Sequence, residues 1–282
     1  MAAITTIITG ATSGIGKETA LALAKKGHAL YLLVRDVVKG DELVRQLKQQ
    51  TVNKEIFSVK CDLSDLHSVY TAAEKLKSRL FAINVLINNA GGMYPMRKLS
   101  HDGFEMTFAV NHLGHFALTM HLMPLLQKGQ ARIINISSEA HKMGKPDFDD
   151  LNSEKSYSSM RVYGAAKLFN IYFTKSLAEK YRDKGITAFA LHPGVVNTAF
   201  GAGAGGMTGF FLTIARPFMI TPEQGAQTTI YLATESGLHT KSGTYFKKKK
   251  LAKVSSAADD AAARERLWQV SEEILMAHPA GL

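Results

Sequence analysis

The chain has 282 residues, of which 46% are hydrophobic, and its formal net charge at pH 7 is +10. This size and apolar content fit one α/β domain, and no linker, repeat or low-complexity tract divides it. A single cysteine, Cys61, excludes an internal disulfide and a cysteine-based zinc site, so we expect no metal and a reducing, cytoplasmic compartment. No segment reaches the roughly 18 uninterrupted apolar residues that a membrane span needs. The first strand begins by residue 4, so we also expect no signal peptide.

The positive charge is spread over helix-face lysines and concentrated in the run Lys247–Lys250. Such a run can contact nucleic acid or an acidic membrane surface. Because it has no interleaved aromatic residues, we expect no nucleic-acid partner. Attraction of a polyanionic cofactor is a more economical use of the positive field, with a solvated surface as the plain alternative.

The chain opens with a short apolar strand, Ile4–Ile8, a glycine-rich turn, Thr9–Gly16, and a helix over residues 17–26. A dinucleotide-binding fingerprint requires this strand–turn–helix context. The glycines let the backbone approach a pyrophosphate, and the helix N-terminus supplies amide donors. The turn therefore predicts cofactor contacts from Gly10, Thr12, Ser13, Gly14, Ile15 and Gly16.

The second predicted strand, Ala29–Val34, ends where the choice of cofactor is made. An NAD site usually places an acid there to bind the ribose 2′-hydroxyl. Arg35 follows the strand instead, and an arginine can bind a 2′-phosphate bidentately. Asp36 keeps NAD open, because a strand ending one residue later would favour it, and a surface salt bridge is the alternative role for Arg35. The sequence favours NADP.

The third strand, Ile56–Cys61, leads into Asp62 and Leu63, which we expect at the adenine end of the cofactor. Asp62 can accept from the adenine amino group, and its alternative role is to cap the helix predicted over 65–80.

The fourth strand, Val85–Asn88, leads into Asn89, Ala90 and Gly91. Ligands in open α/β sheets lie at the carboxyl ends of strands, so these three residues should border the cofactor.

The next helix, over 103–126, contains Asn111 at a position that helix propensity disfavours. Its polar side chain is expected to break the helix locally and hold a water. The fifth strand, Arg132–Ser137, then brings a hydroxyl to its end, where it can bond a substrate oxygen. We favour Ser138 over Ser137 for that role, with a strand-ending turn as the alternative for either.

Tyr163 and Lys167 are the most specific pair in the sequence. Positions i and i+4 share a helix face, so the ammonium can lie beside the phenol on a helix over 161–184. A nearby cation favours the phenolate, so the pair predicts a tyrosine tuned to exchange a proton with a substrate oxygen. A solvated helix face is the alternative. His192, after the strand Thr187–Leu191, is expected to be a turn residue beside the cofactor rather than a general base.

Two segments break this rhythm, a polar loop over 139–158 and a stretch over 197–221 that is rich in glycine and phenylalanine. For the second we predict a lid that is mobile without ligand and ordered over cofactor and substrate. The alternative is a fixed amphipathic helix at a subunit interface. A last strand at Gly243–Phe246 and a C-terminal helix within 259–278, amphipathic over 265–276, complete the chain.

Strands that alternate with helices indicate right-handed βαβ units and a parallel sheet. A further helix over 39–50 fits this alternation. We therefore predict an α/β fold of the doubly wound, Rossmann type, with helices on both faces and a single domain over residues 1–282.

The chain resembles the short-chain dehydrogenase/reductase family from residue 4 to about residue 200. The resemblance implies that Tyr163 is the general acid/base, that Lys167 lowers its pKa and holds the nicotinamide ribose, and that Ser138 anchors the substrate oxygen. It makes Asn111 part of a proton-relay water chain. The matching motifs, in order, are Thr9–Gly16, Asn88–Gly91, Asn111, Ser138, Tyr163-x-x-x-Lys167 and Pro193-Gly194. Further cofactor contacts are implied at Pro193, Gly194, Val196 and Thr198.

A narrower set of motifs occurs at Gly16–Ala20, Arg35-Asp36, Asn111–Phe116, Asp149–Asn152, Thr221–Ala226 and Leu267–Ser271. These segments resemble the retinol dehydrogenase-like branch, which prefers NADP and tolerates apolar carbonyls. Membrane-bound members carry a hydrophobic anchor, which we do not expect here, so activity on another aldehyde or ketone stays as open as activity on retinoids.

The sequence thus predicts NADP(H)-dependent interconversion of an alcohol and an aldehyde or ketone. An apolar substrate is expected among residues 93–98, 139–158 and 197–221. The alternative is a non-catalytic NADP-binding sensor or scaffold, although a pure binder has no need of the proton-transfer residues. Helices 103–126 and 161–184 pair subunits in many relatives, which leaves a homodimer or a homotetramer open.

Overall fold

The computed structural model describes residues 3–196 and 219–278 of the chain. Within these residues, eight strands form one sheet. The strands are β1 (Thr5–Thr9), β2 (Ala29–Val34), β3 (Ile56–Lys60), β4 (Val85–Asn88), β5 (Arg132–Ile136), β6 (Thr187–His192), β7 (Thr244–Lys247) and β8 (Lys250–Leu251).

The strand order across the sheet is β3-β2-β1-β4-β5-β6-β7-β8. The first seven strands pair in parallel, and β8 pairs antiparallel with β7. The chain winds outward from β1 to β3 and then returns to start again at β4, on the other side of β1. The predicted doubly wound parallel sheet is confirmed. Its switch point lies between β1 and β4, where open α/β sheets bind ligands.

Eight α-helices cover the sheet within the described residues, and they divide between its two faces. One core contains residues of α1, α2 and α7, and the other contains residues of α3, α4, α5, α6 and α8. The helices are α1 (Gly14–Lys25), α2 (Val37–Gln50), α3 (Leu66–Lys77), α4 (Met106–Phe108), α5 (Gly114–Lys128), α6 (Ser159–Lys180), α7 (Pro222–Thr234) and α8 (Ala261–Ala277).

The inner strands are apolar on both faces, as a sheet covered by helices on both sides requires. In β1, Ile7 belongs to the core under α3 and α5, whereas Ile8 belongs to the core under α1 and α2. Both side chains are fully buried. Because successive side chains point to opposite faces, one short strand anchors both helical layers.

Of the predicted helices, the one over 103–126 differs most from what the structure shows. It starts with the single turn α4, passes through a π-helical turn at Ala109–Leu113, and continues as α5. The expected local break around Asn111 is therefore a widened turn rather than an interruption. The predicted loop 139–158 also contains a short 3₁₀ turn at Glu139–Met143.

The sequence did not predict β8. The turn that joins it to β7 places Lys248 and Lys249 at φ angles of 50° and 62°, in the left-handed region. Such hairpin turns usually contain asparagine or glycine, so two lysines gave no turn signal. The lysine run is therefore a hairpin tip at the sheet edge, where charge discourages pairing with another strand.

The helix α8 covers part of the surface made by α5 and α6. Trp268 packs with its ring centroid 5.1 Å from that of Phe116 and 6.1 Å from that of Phe173. Lys180 lies over the indole with its Nζ 5.2 Å from the ring centroid. The helix α8 therefore buries aromatic surface of α5 and α6.

The predicted lid over 197–221 lies almost entirely outside the described residues, which resume at residue 219. The segment's flanks are described, and Val196 forms a parallel bridge with Ile220. Among the described helices, none combines the length and the apolar character that crossing a membrane requires.

The packing of α8 generates a stability prediction. Trp268 is only 5% exposed, so we expect Trp268→Ala to lower the free energy of unfolding by about 3–5 kcal/mol, as other large aromatic truncations do. Chemical denaturation followed by circular dichroism measures the change. Phe81 is 80% exposed and serves as the control, because Phe81→Ala should cost less than about 1 kcal/mol. Equal losses in both variants would contradict the packing role of α8.

Candidate active site

A cleft of about 610 Å³ opens at the carboxyl ends of β1 to β4, at the switch point of the sheet. Its walls include the glycine-rich turn, the end of β2, the residues after β3 and the segment after β4. The cleft brings together many residues that the sequence predicts to bind a cofactor: Gly10, Thr12, Ser13, Gly14, Ile15, Gly16, Arg35, Asp62, Leu63, Asn89, Ala90 and Gly91. The turn that follows, Gly92–Pro95, lines it as well.

The glycine-rich turn depends on two of its glycines for steric reasons. Gly10 has a φ angle of +67°, which side chains rarely adopt. A Cβ atom on Gly16 would lie 2.3 Å from the Gly10 carbonyl oxygen and 2.6 Å from the Asn89 Nδ2 atom. The start of α1 therefore lies directly against the turn, with its first amides at the cleft. This geometry suits a pyrophosphate.

Asn89 and Thr9 fasten this turn to β4. The Asn89 Nδ2 donates to the carbonyl oxygens of Thr9 and Gly10 at 2.8 and 3.1 Å. The Thr9 hydroxyl in turn accepts the backbone N–H groups of Asn89 and Ala90 at 2.9 and 3.0 Å. The predicted border residues thus form one hydrogen-bonded unit with the glycine-rich turn.

Arg35 and Asp36 occupy different environments at the end of β2. The Asp36 carboxylate caps α2 by accepting the Lys39 N–H at 3.2 Å, and it lies 3.6 Å from the Lys39 Nζ. Arg35 is exposed and lines the cleft. The strand ends before Arg35, so the register that would have favoured Asp36 is not the one observed.

Asp62 lines the cleft and does not cap the next helix. Its carboxylate accepts the N–H and the hydroxyl of Ser64 at 3.0 and 2.7 Å. The cap of α3 is Asp65, which accepts the Ser68 N–H at 3.0 Å. The alternative role considered for Asp62 is therefore wrong.

Tyr163 and Lys167 lie on one face of α6, beside Ser138. The Lys167 Nζ is 5.4 Å from the centroid of the Tyr163 ring, and the Tyr163 hydroxyl is hydrogen-bonded to the Ser138 side chain. The Ser137 hydroxyl is buried and donates to the Lys167 carbonyl at 2.7 Å. The preference for Ser138 follows from this geometry, because Ser137 is already committed to the backbone.

Burial shifts the pKa of both titratable groups in this cluster. It raises the pKa of Tyr163, although the hydrogen bond from Ser138 acts in the opposite direction. It also lowers the pKa of Lys167 to about 7. The sequence predicted a lowered pKa for Tyr163, and the structure shows the reverse. The physical reason is that burial of the phenol disfavours its charged phenolate form, and the lysine beside it is itself desolvated.

Asn111 lies on the π-helical turn and faces the same cluster. Its Nδ2 donates to the carbonyl oxygens of Gly92 and Thr107 at 2.8 and 2.9 Å. Its buried Oδ1 has no hydrogen-bond partner among the described residues. A Cβ on Gly91 would meet that oxygen at 2.5 Å and the Lys167 Nζ at 3.2 Å, so all three groups converge on one point.

His192 ends β6, and the predicted cofactor contacts Pro193, Gly194 and Val196 follow it. None of these four is among the described residues that line the cleft. His192 accepts the Glu139 N–H on its Nδ1 at 3.3 Å, and burial lowers its pKa to about 4. It is therefore a neutral residue, and it ends β6 rather than lying in the turn that the sequence predicted. Gly194 has a φ of +105°; Pro193 precedes it, and Val196 follows two residues later. Thr198 lies outside the described residues.

Sequence reasoning missed the hydroxyl of Thr9, the carbonyl of Gly92 and the imidazole of His115. Thr9 and Gly92 lie at the edges of recognised motifs, so the sequence indicated that they are near the site. It did not indicate which hydrogen bonds they make. His115 is buried and bonds both Thr9 and Asn111. Its spacing of four residues from Asn111 is the one signal that could have indicated this contact.

Comparison with known proteins agrees with this geometry. The family model for short chain dehydrogenases matches residues 5–208. The chain belongs to the short-chain dehydrogenase family. As a member it is an oxidoreductase that interconverts alcohols and carbonyls, and its glycine-rich cleft fits the nicotinamide cofactor that such chemistry uses.

Curated relatives place this family member in the retinol dehydrogenase-like branch. Mouse retinol dehydrogenase 12 is 42% identical over 270 residues, covering 95% of this chain and 85% of the relative. Human retinol dehydrogenase 13 is 39% identical over 278 residues, covering 96% of this chain and 84% of the relative.

Solved structures show the same fold. A protein from Mycobacterium paratuberculosis aligns with a TM-score of 0.79 and 32% identity, covering 97% of this chain and 93% of that one. An alcohol dehydrogenase from Thermococcus sibiricus, solved with 5-hydroxy-NADP, aligns with a TM-score of 0.65 and 24% identity, covering 82% and 90%. At that identity the second likeness shows the fold alone.

Burial of Lys167 generates a prediction about stability and pH. Folded Lys167 loses its proton near pH 7, whereas an unfolded lysine holds it until about pH 10.5. Burial of the charged lysine therefore lowers the free energy of unfolding by its full amount below pH 7, and by less and less as the pH rises toward 10.5. Lys167→Met removes this penalty, so it should raise the melting temperature by a few degrees, and by more at pH 6 than at pH 9. The substitution leaves no unpaired carbonyl, because the Ile136 carbonyl oxygen still accepts from the Asn170 Nδ2 at 2.9 Å.

Thermal unfolding of the two proteins at pH 6 and pH 9 measures this effect. Lys175 lies on the same helix and forms an exposed ion pair with Asp259, so Lys175→Met is the matched control and should not stabilise. A melting temperature for Lys167→Met at or below that of the wild type at pH 6 would contradict the burial penalty.

Proposed function

We propose that this protein is an NADP-dependent oxidoreductase in which Tyr163 is the general acid/base for an apolar aldehyde or ketone. The observation that carries the proposal is the convergence of the Tyr163 hydroxyl, the Ser138 hydroxyl and the Lys167 ammonium beside a nucleotide-sized cleft. A hydroxyl pair that can hold a carbonyl oxygen and a buried lysine behind it are the groups that proton transfer needs. A nicotinamide cofactor supplies the hydride.

Each side chain has a separate task in this mechanism. Ser138 donates a hydrogen bond that holds and polarises the substrate oxygen, and Tyr163 delivers its proton to that oxygen as the carbonyl carbon is reduced. Lys167 restores the balance of charge, because an ammonium beside a phenolate stabilises it. In the oxidative direction the same groups act in reverse, and Tyr163 accepts the proton.

Asn111 supports a path for the proton to leave the site. Its buried Oδ1 and the Lys167 Nζ lie close to one point beside Gly91. A buried carbonyl-type oxygen without a protein partner is the kind of group that an internal water satisfies. We propose that a water held there links Lys167 to the solvent.

The preference for NADP rests on the two residues after β2. Arg35 is exposed at the cleft, where its guanidinium can pair with a 2′-phosphate, whereas the Asp36 carboxylate caps α2 and lies near Lys39. Asp36, the carboxylate that would bind the ribose 2′-hydroxyl of NAD, is therefore already bonded to Lys39. This difference in environment supports NADP over NAD.

The relatives and two residues of the cleft lining support the proposed substrate class. Met93 and Tyr94 lie next to the predicted cofactor position, and both present apolar surface. The curated relatives are retinol dehydrogenases, so we propose an apolar carbonyl or alcohol as substrate. A screen of aldehydes and ketones with NADPH and NADH in parallel tests both the substrate class and the cofactor.

A non-catalytic sensor is the rival function. A sensor would need only the glycine-rich cleft, whereas this chain also assembles Ser138, Tyr163, Lys167 and Asn111 at one place. Burial of a lysine costs stability, so its presence is better explained by chemistry than by nucleotide binding alone.

The role of Tyr163 is tested by removing one oxygen atom. Tyr163→Phe should lower turnover by roughly 10²–10⁴-fold, the range of general acid–base catalysis, and leave NADPH affinity within a few-fold. Steady-state kinetics and a fluorescence titration measure the two quantities. Tyr172 on the same helix bonds the Ala257 carbonyl, so Tyr172→Phe is the matched control and should keep its turnover. Retention of a third of the activity in Tyr163→Phe would exclude the proposed role.

The role of Arg35 is tested by comparing the two cofactors. Arg35→Ala should weaken NADPH binding far more than NADH binding, because a charge-assisted hydrogen bond to the phosphate is worth about 1.5–3 kcal/mol. Calorimetric titration of both cofactors measures the difference. Arg45 lies on the exposed face of α2, away from the cleft lining, and Arg45→Ala is the control. Equal losses for NADPH and NADH would assign Arg35 a structural role.

A further inference from the structure

His115 lies at a junction that the mechanism above does not use. The side chain is 2% exposed and stands at the start of α5, one turn after Asn111. Its Nε2 is 2.9 Å from the Thr9 hydroxyl oxygen, and its Nδ1 is 3.2 Å from the Asn111 carbonyl oxygen. One imidazole therefore bridges the glycine-rich turn and the π-helical turn.

The partners of this imidazole determine its tautomer. The Asn111 carbonyl can only accept, so the His115 Nδ1 carries the hydrogen. The Nε2 is then the acceptor, and the Thr9 hydroxyl donates to it. The Thr9 oxygen already accepts two backbone N–H groups, from Asn89 and Ala90. Its own hydrogen therefore goes to Nε2 at 2.9 Å in preference to the Ile87 carbonyl, which is 3.4 Å away. Burial lowers the pKa of His115 to about 4, which keeps the ring neutral.

The imidazole bridge contacts the π-helical turn, which carries Asn111 into the site. The Asn111 Nδ2 donates to the Thr107 carbonyl, the partner that the Asn111 backbone N–H would use in an α-helix. The turn widens as a result, and π-helical turns are uncommon features that occur often at functional sites. The hydrogen bond from the His115 Nδ1 holds the Asn111 carbonyl in this widened arrangement.

A second histidine of the same segment provides the contrast. His112 is also buried, but its Nε2 is 2.9 Å from the Ser271 hydroxyl of α8. That hydroxyl donates to the Leu267 carbonyl at 2.8 Å, so it accepts from His112, whose hydrogen is on Nε2. Two histidines three residues apart therefore take opposite tautomers. Only His115 contacts the site.

We propose that His115 is a positioning residue with two separable tasks. Its Nδ1–H holds the π-helical turn that carries Asn111, and its Nε2 holds the Thr9 hydroxyl that fastens the glycine-rich turn to β4. The first task supports proton transfer, and the second supports nucleotide binding. The first task rests on the proposed function, whereas the second rests only on the cleft's binding a nucleotide.

Two conservative variants separate the tasks. His115→Asn places an amide N–H near the position of Nδ1 and has nothing near Nε2, so it should keep kcat and raise the Kd for NADPH about tenfold. His115→Gln places its amide near Nε2 and has nothing near Nδ1. It should keep the Kd within a few-fold and lower kcat about tenfold.

The control is His112→Leu, which removes an equally buried imidazole from the same segment. It should lower the melting temperature and leave kcat and Kd unchanged. If the Asn and Gln variants of His115 change kcat and Kd by the same factors, or change neither, His115 has no such division of tasks. A wild-type protein that binds NADPH but reduces no carbonyl would instead refute the proposed function, and the Kd values would still test the contact with Thr9.

The tautomers provide a readout that is independent of activity. In the protein labelled with ¹⁵N-histidine, nuclear magnetic resonance should show the hydrogen of His115 on Nδ1 and that of His112 on Nε2. Assignment of the two rings follows from the spectra of His115→Gln and His112→Leu. A His115 ring protonated on Nε2 would overturn the bridge, because the Asn111 carbonyl would then have no donor from it.

Discussion

The hydrogen bonds between Asn89 and the turn at Thr9 and Gly10 are the constraint on which the rest of the site depends. They fix β4 against the turn of β1 at the switch point, where the first half of the sheet meets the second. Gly16 must lack a side chain because the Asn89 amide and the Gly10 carbonyl fill that space. The position of the cleft follows from these contacts, and so does the placement of α1, whose N-terminal amides face it.

The proposed catalytic residues, Tyr163 and Lys167, share a desolvated environment. Lys167 is 3% exposed and donates to the Ile136 carbonyl at 3.1 Å, without a carboxylate beside it among the described contacts. Its charge is therefore costly, and the phenol of Tyr163 is desolvated with it. Water screens charges little in this region. A cation that enters the cleft beside Tyr163 would therefore change the pKa of the phenol more than it would at the protein surface.

Buried polar contacts also connect the cluster to the remote parts of the fold. The amide of Asn88 at the end of β4 donates to Asn135 of β5, which in turn donates to the Thr174 hydroxyl of α6. Asn170 and Lys167 of that helix both bond the Ile136 carbonyl. Because these groups have left water, each must keep its partner, and α6 is held in one register against the sheet. The position of Tyr163 depends on that register.

The sequence by itself determined the parts of this protein that local geometry controls. The glycine spacing required a tight strand-to-helix turn, the alternation of strands and helices required a parallel sheet, and Tyr163 and Lys167 had to share a helix face. The tertiary structure decided which of Ser137 and Ser138 bonds Tyr163, which of Arg35 and Asp36 lines the cleft, and how burial shifts the pKa of Tyr163. It also brought His115 to Thr9, 106 positions apart in the chain. Such outcomes depend on desolvation and on contacts between distant segments, which arise only when the sheet and its helices pack together.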